Sequence, residues 1–237
     1  MLTITKLGRM CAVAVAAFAL AHGPALAAGA GEVTALSGTL TVQRPGAAPR
    51  ILAKGSEVNP GDILTTQADS YAQINFSDDS VITMRSRTQM MIESYSYTKD
   101  KPEADNAFFR LLKGGLRTVT GLIGKRGNQA GYRIGTSVAT IGIRGSSGDT
   151  LDCTEGCDGV TSTSGKVERG VYHTTYTGSY VMQNDAGEQV IGEGQFGFAR
   201  DRKVAPVLLP GDPGLRLDEL PFAIVVRDSK GGVCDVR

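Results

Sequence analysis

Residues 71–84 read YAQINFSDDSVITM, and this stretch decides the fold class of the chain. In its first half polar and apolar residues alternate, so that Ile74 and Phe76 share one face of a strand. The polar run SDDS in the middle is typical of a turn, and after it Ile82 and Met84 again share a face. The stretch therefore predicts a β-hairpin with one buried face.

The same rhythm extends from the hairpin in both directions. From Glu32 onward, short runs of Val, Ile, Thr, Tyr and Leu are bounded by Gly, Asp, Asn and Ser at intervals of about eight to twelve residues. Glycine makes up 31 of 237 residues while proline is ordinary at 9, which indicates many tight turns and not disorder. We therefore expect an all-β fold of antiparallel sheets, sandwich-like or solenoid-like, whose short strands are joined by glycine-rich turns.

One segment fits two structures. Residues 99–106 are charged and indicate a loop, but residues 103–112 would place five apolar side chains on one face of a short helix. Gly114 and Gly115 are expected to end whichever element precedes them. Periodicity leaves the loop and the helix as alternatives.

The N-terminus has the pattern of a secretory signal peptide over residues 1–27. Two basic residues precede the apolar run 11–21, and the tripeptide Ala-Leu-Ala that ends at Ala27 is a small-x-small cleavage pattern. A membrane anchor would need roughly 18 to 20 consecutive apolar residues, which this run does not reach. We therefore expect cleavage between Ala27 and Ala28, a periplasmic or secreted protein, and no transmembrane segment in the mature chain.

Composition narrows the classes of partner. Removing 27 of 237 residues leaves 210, enough for one large domain or two small ones. Two of the 25 basic residues lie in the signal, so 23 remain against 24 acidic residues, a net charge near −1. This balance, outside the cytoplasm, argues against nucleic acid as a partner.

Three cysteines remain after cleavage. Cys153 and Cys157 flank a short glycine-containing loop, and an oxidising compartment would allow them to form a small disulfide ring. Cys234 is left over, either as a free thiol or as a link to another molecule. With a single histidine, His173, the cysteine spacing matches no zinc pattern, and we expect no metal and no cofactor.

Catalytic patterns are missing from the sequence. His173 has no nucleophile-elbow or cysteine-protease signature to accompany it. Asp149, Asp152, Glu155 and Asp158 recur every third residue, but this is not the spacing of an EF-hand, and we interpret them as solvated loop carboxylates. The sequence therefore predicts a protein that is not an enzyme.

Short motifs follow one another along the middle of the chain. They are GDILTT at 61–66, the DDS turn at 78–80, LKGGLR at 112–117 and IGTSVATIGIRGS at 134–146. In this order and spacing they resemble the FecR family. Asp79 stands where the family usually has glycine, Ser137 replaces its proline, and Ser146 replaces its threonine.

The resemblance implies a periplasmic all-β domain that binds another protein. It divides the chain into a signal peptide (1–27), a FecR-like domain (28–199) and a proline-rich extension with a docking strand (200–237). Within the domain, the core is expected at 32–149 and a looser second β unit at 150–199. The regulator after which the family is named signals through a transmembrane helix, which this chain is not expected to have.

Residues 142–145 (GIRG) have the most distinctive chemistry. Gly142 and Gly145 would let the backbone turn, while the Arg144 guanidinium can hydrogen-bond several carbonyl groups at once. Arg144 is thus either a structural clamp or an exposed group that recognises a partner's carboxylate. The resemblance also makes Gly61 and Asp62 structural positions of the family motif.

Basic residues surround this motif. Arg117, Lys125 and Arg126 are the further candidates for a binding surface, and Arg133 adds to the local charge. We expect a non-enzymatic interaction module of the cell envelope, resembling a free-standing FecR domain, that binds another envelope protein. The alternative is a periplasmic protein that binds glycan or peptidoglycan, which the absence of tryptophan disfavours.

Signal cleavage can be tested directly. In a Gram-negative host that expresses the full sequence, mass spectrometry of the exported protein should identify Ala28 as the first residue. Ala27→Arg should block cleavage, because the peptidase requires a small residue at that position. A mature protein that starts at Met1 or Leu2 would contradict the prediction.

Overall fold

The fold consists almost entirely of β-strands. The computed structural model describes residues 29–126, 129–157, 160–163, 167–216, 220–222, 224–227 and 233–236; the expected signal peptide and Ala28 lie outside them. The strands, in chain order, are β1 Gly31–Ser37, β2 Leu40–Gln43, β3 Arg50–Leu52, β4 Glu57–Val58, β5 Ile63–Thr66, β6 Tyr71–Phe76, β7 Val81–Met84, β8 Gln89–Ser96, β9 Asn106–Val119, β10 Tyr132–Gly135, β11 Thr140–Asp152, β12 Thr161–Ser162, β13 Val171–Asn184, β14 Gly187–Gly192, β15 Phe196–Ala199, β16 Val207–Leu208, β17 Leu215–Arg216, β18 Ile224–Arg227 and β19 Val233–Val236. Short 3-10 helices span Pro102–Ala104 and Gln129–Gly131. No helix in the described ranges has the length and apolar character to cross a bilayer.

Most strands belong to one continuous sheet that is folded into two layers. The first layer has the order β3-β2-β5-β8-β9-β10-β11-β13-β14, and the second has the order β4-β1-β6-β7-β9-β11-β13-β15-β16. The long strands β9, β11 and β13 therefore contribute one half to each layer. Of the pairings between described strands, only β9–β10 is parallel. The all-β prediction is confirmed, and the arrangement is sandwich-like.

The chain passes between the layers at residues with a left-handed backbone. At nine of these passages the crossing residue has φ between 53° and 86°, and the nine are Gly38, Gly55, Gly61, Asp69, Arg87, Gly114, Gly145, Gly178 and Gly194. A residue with a Cβ pays about 1 kcal/mol or more for this conformation, whereas glycine adopts it freely. Seven of the nine are glycine, so part of the high glycine content serves these crossings.

Neighbouring chain also packs closely against the crossings. A Cβ on Gly114 would lie 2.5 Å from Oγ1 of Thr88, and one on Gly178 would lie 2.8 Å from Oγ of Ser146. Glycine is therefore required at these two positions for space as well as for backbone conformation.

The main core lies between the layers. Apolar side chains from both layers form one buried cluster, for example Ile92 and Phe109 from the first layer with Ile74 and Met84 from the second. A smaller cluster lies on the outer side of the second layer, where the rings of Tyr172 and Phe198 are 4.7 Å apart. Leu209 and Leu215 pack against this cluster, so the segment after β15 returns to the body of the domain.

The hairpin predicted at 71–84 is confirmed. β6 pairs with β7 in the register that sets Ile74 opposite Ile82 and Ala72 opposite Met84. Asp79 at the turn has φ 64°, a conformation that suits glycine and is tolerated by aspartate. The buried Asp78 carboxylate accepts hydrogen bonds from the Ser80 hydroxyl and from the Ile123 N–H, which ties the turn to the segment after β9.

The helix considered for residues 103–112 is wrong. After the 3-10 turn at Pro102–Ala104 the chain enters β9, where Phe109 and Leu111 face the core and their neighbours face outward. Pairing with β8 and β10 imposes this period of two on a sequence that fits a helix equally well. Gly114 and Gly115 do not end the element, because β9 continues through them to Val119.

The C-terminal extension contributes strands to three sheets. β16 pairs with β15 at the edge of the second layer, β17 pairs with β12, and β18 pairs with β19 in a separate hairpin. The strand expected to dock the extension, around residues 222–226, thus pairs within the extension itself. Residue 149, the expected limit of the core, lies inside β11.

Two glycines with similar backbone angles should respond differently to a methyl group. Gly61→Ala should lower the free energy of unfolding by about 1 kcal/mol, because Gly61 has φ 86° but open space around it. Gly178→Ala should cost clearly more, because its Cβ would also contact Ser146 and the carbonyl of Gly145. Urea denaturation measures the free energy of unfolding of both variants. Equal losses would show that the close packing around Gly178 does not contribute to stability.

Candidate functional site

The outer face of the first layer carries a row of residues that no described segment covers. Phe108, Arg133, Gly142, Val181 and Val190 are successive register partners across β9, β10, β11, β13 and β14. Since side chains alternate between the two faces of a strand and their neighbours in sequence are buried in the core, these five positions face outward. We call this set the Gly142 row. Arg133 is exposed, and the Val190 side chain is 52% exposed.

An aromatic ring between two guanidinium groups forms one end of the Gly142 row. The Cζ atoms of Arg110 and Arg133 lie 5.4 Å and 5.1 Å from the centroid of the Phe108 ring. Arg110 is paired with Glu93, with 2.6 Å between nitrogen and oxygen. Arg133 donates a 3.4 Å hydrogen bond to the Asn106 amide oxygen and pairs with no carboxylate of the described residues. The Arg133 guanidinium is therefore fixed in position by Phe108 and Asn106 but has no negatively charged partner among the described residues.

Gly142 leaves a gap in the middle of the row. Among the described residues, a Cβ built on Gly142 would find one atom within 4 Å, the carbonyl oxygen of Val181 at 3.8 Å. Because adjacent strands lie about 4.8 Å apart, the backbones of Arg133 and Val181 on either side are separated by roughly 10 Å. The result is a shallow slot, with Arg133 on one side and Val181 and Val190 on the other. Gly142 lies in the extended part of β11, and the backbone turns only at Gly145, with φ 59°.

Arg117 lies on the other layer, in a buried cluster of charges. Its Nε is 2.7 Å from Oδ1 of Asp149, and a nitrogen of Arg85 is 2.9 Å from Oδ2. The Tyr176 hydroxyl donates a further bond of 2.8 Å to the same carboxylate. The two guanidinium groups and this hydroxyl hold the pKa of Asp149 below its ordinary value in spite of burial. Arg117 is thus committed to an internal carboxylate.

The prediction that the carboxylates at 149–158 are solvated is wrong for two of them. Asp149 and Asp152 are buried, because β11 extends through both. Asp152 accepts hydrogen bonds from the hydroxyls of Ser137 and Thr154, which joins the chain before β11 to the chain after it. Glu155 is exposed, and Asp158 lies outside the described residues.

The other predicted basic residues do not converge on one surface. Arg126 donates to the Asp105 carboxylate at 3.1 Å and to the carbonyl groups of Thr98 and Lys99, which holds the loop before β9. Lys125 is exposed beside Gly145. The backbone of Arg144 belongs to β11, but its side chain lies outside the described part of the structure.

Gly61 and Asp62 lie at a turn that joins three parts of the first layer. Gly61 has φ 86°, and its N–H bonds to the Ile92 carbonyl of β8. The buried Asp62 carboxylate accepts the Asn59 N–H at 2.9 Å and pairs with the guanidinium of Arg44, in the loop after β2. The pKa of Arg44 is raised by its hydrogen bond to Asp62.

The predicted disulfide between Cys153 and Cys157 is confirmed. Cys153 is buried in the smaller apolar cluster, so the disulfide anchors its loop to the outer side of the second layer. The backbone of Cys234 lies in β19, and its side chain is outside the described residues.

His173 is enclosed between the layers. Its Nδ1 lies 3.0 Å from the Thr150 hydroxyl, and its Nε2 has no hydrogen-bond partner. Burial lowers the pKa of His173 to about 3, so the ring is neutral. In the described part of the chain, no three Cys, His, Asp or Glu side chains converge in a way that could hold a metal ion.

The Gly142 row was not recognised from the sequence as a unit. Its members lie between residues 108 and 190, and only strand pairing brings them together. Two signals were available in the sequence. Phe108 and Arg110 are two residues apart and would share one face of a strand, and Arg133 belongs to a locally basic region.

Removing the negative charge of Asp149 should destabilise the fold. Asp149→Asn should lower the free energy of unfolding by about 3–5 kcal/mol, because two buried guanidinium groups lose their counter-charge. Glu168→Gln is the matched control: Glu168 pairs with Arg200 on the surface and should cost less than about 1 kcal/mol. Denaturant titration of both variants is the measurement, and equal small losses would contradict the prediction.

His173 should make stability depend on pH. Unfolded histidine takes up a proton near pH 6.5, whereas His173 in the fold stays neutral down to its pKa of about 3. Stability should therefore fall as the pH is lowered from about 7 to about 5. His173→Asn should flatten this slope, since the only other histidine belongs to the expected signal peptide. An unchanged slope in unfolding experiments at the two pH values would show that another group is responsible.

Comparison with known proteins finds a family match for part of the chain. Residues 62–169 match the family model described as FecR protein. No curated protein matches the chain. Two crystal structures of a candidate anti-sigma factor from Parabacteroides distasonis are similar to it with a TM-score of 0.45 and 12% identity, over 64% of this chain and 60% of theirs. The resemblance seen in the motifs is confirmed, and the chain carries a FecR domain over residues 62–169.

Proposed function

We propose that this protein is a non-enzymatic interaction module of the cell envelope, which binds another envelope protein through the outer face of its first layer. The envelope location rests on the signal-peptide pattern of residues 1–27. The FecR domain at 62–169 includes Phe108, Arg133 and Gly142, three of the five members of the Gly142 row.

The contrast between buried and exposed polar groups carries the proposal. Asp62, Asp78, Asp105, Asp149 and Asp152 are all buried and bonded to other parts of the same domain. Their carboxylates hold the fold together. The Gly142 row, in contrast, presents a cation that lies against the Phe108 ring, together with the half-buried Val181 and the exposed Val190.

This mixture is typical of a surface that binds protein. Interface centres are enriched in arginine and aromatic residues, and their apolar groups lose water on binding. A glycan-binding surface would use exposed aromatic rings as stacking platforms. The Phe108 ring is instead occupied by Arg110 and Arg133.

Crosslinking in the envelope tests the proposal. The full-length chain is produced with a C-terminal tag, the envelope is treated with a bifunctional crosslinker, and tagged complexes are identified by mass spectrometry. We expect one or more protein adducts whose yield falls when purified untagged protein is added as competitor. Co-sedimentation with purified peptidoglycan sacculi and no competed protein adduct would support the glycan-binding alternative and contradict the proposal.

A further inference from the structure

The slot over Gly142 has the shape and charge to hold a short extended segment of another protein. We propose that the partner segment is acidic and extended, with an apolar side chain in the slot and a carboxylate on Arg133. This inference rests on the proposed function and adds the chemistry of the partner to it.

The apolar contact follows from the missing side chain at Gly142. Val181 is half-buried and Val190 is 52% exposed, so together they present apolar surface along one wall of the slot. A side chain that enters the slot would cover both valines and meet the Gly142 backbone directly. Burying a side chain of the size of valine or leucine in this way is favourable because its apolar surface leaves water.

The charge of the partner follows from the difference between the two arginines. Arg110 already has the Glu93 carboxylate as a partner, whereas Arg133 has an amide oxygen and an aromatic face. Stacking on Phe108 holds the guanidinium plane in place, so less side-chain entropy is lost when it binds. A carboxylate is the group that best matches its planar set of N–H donors.

Strand spacing gives the pattern of the segment. Arg133 and Gly142 are neighbours on adjacent strands, about 4.8 Å apart, and Val181 lies one strand further. In an extended chain, side chains on the same face are about 7 Å apart, because they belong to residues i and i+2. A segment that crosses the strands can therefore place one side chain between Gly142 and Val181 and the next on Arg133. The expected pattern is apolar-x-acidic.

Selection from a peptide library tests this chemistry with a defined probe. The immobilised full-length chain is offered a phage library of random linear peptides, and the binding of a synthetic consensus peptide is then measured by fluorescence anisotropy. We expect enrichment of peptides in which Asp or Glu stands two residues from Val, Leu or Ile.

Three variants locate the binding. Gly142→Val should weaken the consensus peptide about tenfold or more by filling the slot, and it should fold normally because the added Cβ meets only open space. Arg133→Gln should remove the preference for acidic peptides. Arg110→Gln is the control, because it removes a charge from the same face at an arginine that is already paired, and it should leave binding within about twofold.

The outcomes separate the inference from the proposed function. Failure to enrich acidic peptides, or consensus binding that survives both Gly142→Val and Arg133→Gln, overturns the inference. Envelope adducts that persist in those two variants would show that the chain binds an envelope protein, but not at the Gly142 row. If Gly142→Val lowers the melting temperature, Arg133→Gln alone decides, since an exposed side chain is not needed for folding.

Discussion

The two-layer fold depends on a constraint of the backbone, namely that the chain must bend sharply wherever it leaves one layer for the other. A left-handed residue makes this bend at the nine crossings described above. At Gly114 and Gly178 the neighbouring chain is so close that a side chain would not fit. Because β9, β11 and β13 each serve both layers, these crossings set the relative position of nearly every strand. The Gly142 row exists only because β9, β10, β11, β13 and β14 meet side by side in the first layer.

Buried charge supports the same architecture. Asp62 joins the loop after β2 to the turn before β5, Asp78 joins the first hairpin to the segment after β9, and Asp149 joins β7, β9 and β11. An aspartate inside a β-domain is stable only with donors for its oxygens, and here arginines, hydroxyls and backbone N–H groups supply them. Carboxylates, which are common catalytic groups, are thereby used for structure. Four described arginines lie over an aromatic ring, and of these Arg133, on the outer face, is the one without a carboxylate partner among the described residues.

Local pattern predicted the fold class and the hairpin at 71–84, since an alternating strand with one buried face depends on neighbours in sequence. It also brought out the family motifs and the Cys153–Cys157 disulfide. It failed for residues 103–112, where a helical and an alternating reading of the same apolar residues differ only in what lies beside them. It likewise suggested that Arg117 and Arg126 were available to a partner, because a sequence shows a charge but not the carboxylate that meets it.

The amino-acid sequence by itself determined that the chain would form alternating strands, that its glycines would be needed at bends, and that Cys153 and Cys157 lay close enough to pair. These follow from the period of a strand, the backbone freedom of glycine and a short loop, all of which are local. Only the tertiary structure decided which of the ring-stacked arginines lacks a carboxylate partner and where apolar surface stays open. Strand pairing across some eighty residues places Phe108, Arg133, Gly142 and Val190 in one row, and the fold buries the carboxylates that pair with Arg117 and Arg126. A surface made by pairing distant strands leaves no contiguous trace in the sequence.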